Sequence, residues 1–226
     1  MNDPPRVLSQ AAASGDDQQV AAVLSSGAPP DLRENGSGRT ALDLAVWNNH
    51  PNVVRILLAA GADPDAEMGE YGETTALRHS APRRMREVAQ LLLDAGANPN
   101  GRKNTNQSTP LILTAAQGEV EMVELLLDRG ASPDLAVELQ LVEGGAEKLG
   151  FSTRVSPLSS AAWGGHLETV RLLLARGARP DNQVLQSLKN GMARAEKETA
   201  PSTHHRGTRH DFALIREIIE ESLKLS

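Results

Sequence analysis

Leu91-Leu92-Leu93-Asp94-Ala95-Gly96-Ala97-Asn98-Pro99-Asn100 decides the fold, because the chain repeats it. The same phrase, a leucine-rich run followed by Gly-Ala and then x-Pro-Asp, reads Ile56-Leu57-Leu58-Ala59-Ala60-Gly61-Ala62-Asp63-Pro64-Asp65 upstream. Downstream it reads Leu125-Leu126-Leu127-Asp128-Arg129-Gly130-Ala131-Ser132-Pro133-Asp134 and Leu172-Leu173-Leu174-Ala175-Arg176-Gly177-Ala178-Arg179-Pro180-Asp181. A shorter form, Val23-Leu24-Ser25-Ser26-Gly27-Ala28, stands near the start. The five glycines are spaced 34, 35, 34 and 47 residues apart. A fixed period of this size predicts a stack of repeats in place of one closed core.

Working outward from each Gly-Ala gives one repeat. It opens with a polar turn and a Thr-Pro-Leu variant: Thr40-Ala41-Leu42, Thr75-Ala76-Leu77, Thr109-Pro110-Leu111 or Ser156-Pro157-Leu158. Thr and Ser are strong N-caps, and Pro is tolerated at a helix start because its missing N–H has no partner there. A short first helix of small residues is expected over Leu42 to Trp47, Leu111 to Ala116 and Leu158 to Trp163. A glycine corner follows at Gly15, Gly118 and Gly164-Gly165, and a second helix spaces apolar residues helically, as in Val120, Val123, Leu126 and Leu127. The Gly of Gly-Ala then ends that helix in a left-handed cap. The Pro-Asp or Pro-Asn turns the chain out into the next hairpin.

On these residues the chain resembles the ankyrin-repeat family, most closely at Ser108-Thr109-Pro110-Leu111-Ile112-Leu113-Thr114-Ala115-Ala116-Gln117-Gly118 and Ser160-Ala161-Ala162-Trp163-Gly164-Gly165-His166-Leu167. The resemblance covers roughly residues 6 to 181 and implies an all-α solenoid of about six helix-turn-helix units with hairpin loops. The expected layout is a single domain over 1–226, with units near 6–35, 36–69, 70–103, 104–134 and 152–181 and a C-terminal cap over 182–226. Asp43, Arg78, Ile112 and Ser159 replace the family's His after Pro-Leu, so hydrogen bonds between turns are lost or substituted there. His166 occupies a common family position at the start of a second helix, with a structural role. The third unit reads Ser80-Ala81-Pro82-Arg83-Arg84-Met85, with Pro at the end of its first helix and no corner Gly, and is expected to be irregular.

The first unit is polar and lacks a Leu triplet, as a terminal cap should. At the other end Val184 to Leu188 reads as a sixth first helix and Phe212 to Ile219 as its partner, with Asp211 as N-cap. Between them the polar stretch 193–210 reads as a long loop. The long interval between the fourth and fifth glycines holds 13 extra residues. Val137, Leu139 and Leu141 alternate with Glu138 and Gln140 at the period of a strand, and Gly144-Gly145 supplies a turn. Residues 135–151 are therefore read as an inserted finger, with a short helix as the alternative.

Composition narrows the function. The chain has no cysteine, which excludes disulfides, thiolate catalysis and Cys-ligated metals. No apolar run is long enough for a signal core or a membrane span, so a cytoplasmic protein is expected, without a membrane partner. The net charge of −6 argues against nucleic acid as partner. No nucleotide loop, Ser-His-Asp order or H-E-x-x-H is present. His204, His205, His210 and Asp211 carry metal-ligating groups, but their spacing fits no helical motif, and neither metal nor cofactor is expected.

The family resemblance implies a non-catalytic binding scaffold that holds a protein or peptide, most simply as a monomer, on the hairpin tips and first helices. Carried over by position, the contact residues are Arg39, Trp47, Asn48, Tyr71, Arg83, Asn106, Gln117 and Trp163, with Thr74, Ser108, Thr153 and Val155 beside them. Both tryptophans end the first helix of their unit, and Trp is enriched where interfaces concentrate binding energy. Packing against a neighbouring corner is the structural alternative for each. Arg78, His79, Arg83, Arg84 and Arg86 form a basic cluster, suited to carboxylates or phosphates, or simply pairing with Glu87 and Asp94. The rival function is an enzyme or small-molecule binder with a pocket walled by the 135–151 finger, Trp163 and the 193–210 loop.

Overall fold

Thr40, Thr75, Thr109 and Ser156 each accept a hydrogen bond from the backbone N–H three residues on, at Asp43, Arg78, Ile112 and Ser159, and so start a helix. In the last of these the Ser159 hydroxyl oxygen in turn accepts from the Ser156 N–H at 2.9 Å, completing a capping box where the family's His would stand. These caps belong to a computed structural model that describes residues 4–33, 39–68, 74–101, 107–138, 154–197 and 207–224. It divides into two compact units, Met1–Arg102 and Lys103–Ser226.

The N-terminal unit holds three helix pairs: α1 (Pro4–Ser14) with α2 (Asp17–Ser25), α3 (Ala41–Trp47) with α4 (Pro51–Ala59), and α5 (Ala76–Ser80) with α6 (Arg86–Asp94). First helices pack in one layer, α1 on α3 on α5, and second helices in another, α2 on α4 on α6. The leucines recur at the repeat period because each layer needs one: Leu42 and Leu77 in the first, Leu57 and Leu92 in the second, all at most 2% exposed. Burying each contributes about 1.5–3 kcal/mol. Strands β1 (Glu67–Met68) and β2 (Thr74–Thr75) form a short antiparallel hairpin base.

As the sequence predicts, the third repeat is irregular. Its first helix stops after one turn, and Pro82 sits in a 3₁₀ turn over Ala81–Arg83. Arg84 then takes the left-handed conformation, φ 59°, as Asn49 does at 57° in the second repeat and Gly15 at 75° in the first.

In the C-terminal unit the pairs are α7 (Pro110–Ala115) with α8 (Val120–Asp128), α9 (Pro157–Gly164) with α10 (Leu167–Ala175), and α11 (Asn182–Lys197) with α12 (Arg209–Lys224). The same two layers appear, α7 on α9 on α11 and α8 on α10 on α12, around Leu111, Leu158, Leu188, Leu126 and Leu173. Strands β3 (Val137–Glu138) and β4 (Arg154–Val155) pair antiparallel, Val137 opposite Val155, and close the base of the insertion. The expected Leu139, Leu141 and Gly144-Gly145 part of the finger lies outside the described residues.

Two expectations are corrected at the C-terminus. Helix occupies both ends of the stretch read as a loop over 193–210, because Ala193, Arg194, Ala195, Glu196 and Lys197 are strong helix formers that simply extend α11. Thr208, not Asp211, is the N-cap of α12. Its hydroxyl accepts from the Asp211 N–H at 3.2 Å, and the Asp211 carboxylate accepts from the Thr208 N–H and hydroxyl at 2.7 Å each. Those bonds hold the Asp211 carboxyl below the usual carboxylate range.

Neighbouring repeats are also tied through polar groups. The Asp of the Pro-Asp phrase accepts from a backbone N–H in the next repeat: Asp31 from Asp63, Asp65 from Asn98, and Asp134 from Arg179. The ring of His50 lies over Gly15, with Nε2 3.1 Å from the Ala13 carbonyl, and His166 does the same over Gly118, 3.1 Å from Ala116. A Cβ at Gly118 would fall on the His166 ring, so this corner needs glycine for space as well as for its φ of 72°. His166 thus has the structural role expected of it.

Candidate functional site

Trp47 ends α3 with half of its surface, 50%, exposed. The Arg39 guanidinium lies over its ring, 5.4 Å from the centroid, a cation–π contact. The His79 ring meets the indole at 4.5 Å with the planes tilted by 31°. His79 is 4% exposed, and burial, reinforced by the Arg83 charge, pushes its pKa down to about 4. The imidazole is therefore neutral at pH 7 and serves as a flat aromatic support under an exposed indole. Arg83 donates from Nη1 to the His79 carbonyl at 2.8 Å, which fixes its guanidinium at the end of α5.

Three of the residues marked in the sequence are thereby drawn into one surface of the N-terminal unit: Arg39, Trp47 and Arg83, joined through His79. Sequence reading counted His79 among the cations; its burial, visible only once α5 packs on α3, makes it an aromatic spacer instead. Glu87, expected to balance that cluster, pairs with Arg55 of α4 at 2.9 Å in an exposed contact of small energetic weight. Asn48 donates its side-chain amide to the Leu44 carbonyl at 2.8 Å, so it closes α3. Tyr71 and Asn106 lie outside the described residues, as do His204 and His205.

In the C-terminal unit Gln117 is exposed at the corner after α7. Trp163, half-buried at the end of α9, borders a cleft of about 190 Å³. Its walls come from Ala116 after α7, Arg154 and Val155 of β4, Ser159 and Ser160 of α9, and Ser187 of α11. The Arg194 guanidinium of α11 stands 4.8 Å from the Trp163 ring centroid. Helix α11 comes this close because Gly191 faces the Trp163 backbone, where a Cβ would collide with the Trp163 carbonyl oxygen. Trp163 thus packs under α11, the structural alternative, and borders the cleft as well. Strand β4, which follows the insertion, contributes Arg154 and Val155 to that cleft; no described residue of 135–151 lines it. α11 contributes Ser187, which precedes the stretch expected to form a wall.

Among the described residues no helix is long and apolar enough to cross a membrane.

Comparison with known sequences agrees with this architecture. Residues 77–184 match a family described as ankyrin repeats (3 copies), and residues 8–58 one described as ankyrin repeats (many copies). The chain is 32% identical over 110 residues to a B-cell lymphoma 3 protein homolog of Mus musculus, covering 49% of this chain and 24% of that protein. It is 39% identical over 93 residues to a putative ankyrin repeat-containing protein of Treponema pallidum, covering 41% and 30%. Protein PhlB of Serratia liquefaciens is 37% identical over 117 residues, 51% of this chain and 49% of that protein. The chain therefore spans between a quarter and a half of the length of these relatives. Matches that run from the first repeat to the fifth, on helices that already stack in capped pairs, place the chain in the ankyrin-repeat family.

Proposed function

We propose that the chain is a non-catalytic scaffold that holds a protein or peptide partner on the face carrying Arg39, Trp47 and Arg83. The observation that carries this reading is an indole left half exposed although a guanidinium and an imidazole already lie against it. A single large aromatic with rigid neighbours and adjacent Arg is the composition that concentrates binding energy at interfaces. With the Arg39 guanidinium over the indole and Arg83 beside the supporting His79, the preferred partner segment is acidic, although the chain as a whole carries −6. Family membership supports the same reading, and a cytoplasmic setting suits a chain without cysteine.

The test is affinity capture from native extract with the wild type and with Trp47→Ala. Loss of the captured partner, with unchanged melting, is the expected result, and Arg39→Gln with Arg83→Gln should weaken capture mainly at low salt. Equal capture by wild type and Trp47→Ala would overturn the proposal.

A second reading rests on a different observation. The cleft beside Trp163 is concave, largely apolar and bordered by few polar groups, which is the form of a small-molecule site.

A further inference from the structure

We propose that the cleft beside Trp163 binds a single aromatic ring that carries a carboxylate. This rests on the second reading above, that the cleft takes a small molecule, and adds the chemical class. Size comes first. About 190 Å³ is room for one ring, since a dry cavity of about 150 Å³ admits benzene. Shape agrees: Ala116, Val155 and the Trp163 indole give apolar wall, and an indole stacks favourably on a ring.

Charge then selects the substituent. Arg154 lines the cleft with its side chain 53% exposed, and one nitrogen lies 3.8 Å from Asp181. A guanidinium fork has five donors and can serve Asp181 and a ligand carboxylate together. Arg194, over the indole at 4.8 Å, adds a second positive charge beside the same ring. An anion is thus favoured over a neutral or cationic ligand of equal size.

Ser160, 8% exposed, lines the same cleft. Its hydroxyl can donate to or accept from an oxygen-bearing head group.

The experiment uses the full chain with Trp47→Phe, so that Trp163 is the remaining tryptophan, and follows its emission. The probes are 3-phenylpropanoate, 3-phenylpropanol and 3-phenylpropylamine, which share the ring and differ in the head group. Expected is saturable binding of the acid with a dissociation constant below roughly 1 mM, and binding of the alcohol about tenfold weaker. Arg154→Gln should bring the acid to the level of the alcohol and leave the alcohol unchanged, with melting as a check on folding.

Equal binding of acid and alcohol would overturn the proposal while leaving the small-molecule reading standing. No saturable response to any probe would overturn both. A further arm compares a peptide ending in Phe with its amidated form. Tighter binding of the free carboxylate peptide than of 3-phenylpropanoate identifies a chain end as the source of the ring and carboxylate. Weaker binding identifies a free acid. Either result supports the assigned chemistry.

Discussion

Protonating His79 means charging an imidazole that is buried against Trp47 and already beside the Arg83 guanidinium. The unfolded chain takes up that proton first, near the ordinary 6.5, and the folded chain only near 4. Stability contributed by this group is therefore present above about pH 6.5 and is lost as pH falls towards 4, by up to ~3 kcal/mol. Urea unfolding of wild type and His79→Gln across pH 4–7 should show the extra slope in the wild type alone. At Arg84 the expected effect has the opposite sign. A non-glycine residue at φ 59° is strained by about 1 kcal/mol, so Arg84→Gly should raise the melting temperature, an increase that calorimetry can detect. Sequence reading identified the missing corner glycine, because backbone conformation is a local property. It could not see that His79 is uncharged, because that follows from what α3 and α5 bury between them.

Among the elements, caps and helix ends were the most legible. Thr40, Thr109 and Ser156 act within four residues of themselves, so their chemistry is complete in the sequence. The far end of α11 was hidden for the converse reason. Ala193 to Lys197 have helix propensity but no apolar period, and a polar composition reads as loop until the helix is seen leading into it. The inter-repeat bonds of Asp65 and Asp134 were likewise read only as turn chemistry, since their acceptors meet donors 33 and 45 residues away. At Gly191 the backbone of α11 lies against the Trp163 carbonyl of α9. Gly191→Ala is expected to cost about 1–3 kcal/mol despite the better helix propensity of alanine, and to shift Trp163 emission, measured by denaturant titration with that fluorophore.

For the whole molecule, the repeat period leads us to propose that residues 1–226 form one cooperative domain and remain monomeric. The two tryptophans fall one in each unit, so Trp47→Phe and Trp163→Phe give two site-specific probes of unfolding. Coincident denaturant midpoints are expected, with a monomer mass by light scattering; midpoints that separate would show two independent domains. The repeat count was legible because five copies of one phrase are hard to misread. The site was less so, since Arg154 and Trp163 become neighbours only when β4 folds back beside α9. The β3–β4 ladder has a last consequence. It brings together the residues on either side of the insertion, Val137 opposite Val155 and Glu138 opposite Arg154. Whatever lies between enters and leaves at one point, and doubling its length adds only about 0.6 kcal/mol of closure entropy. A change in chain length between Glu138 and Arg154 is therefore expected to leave the register of the repeats on either side undisturbed.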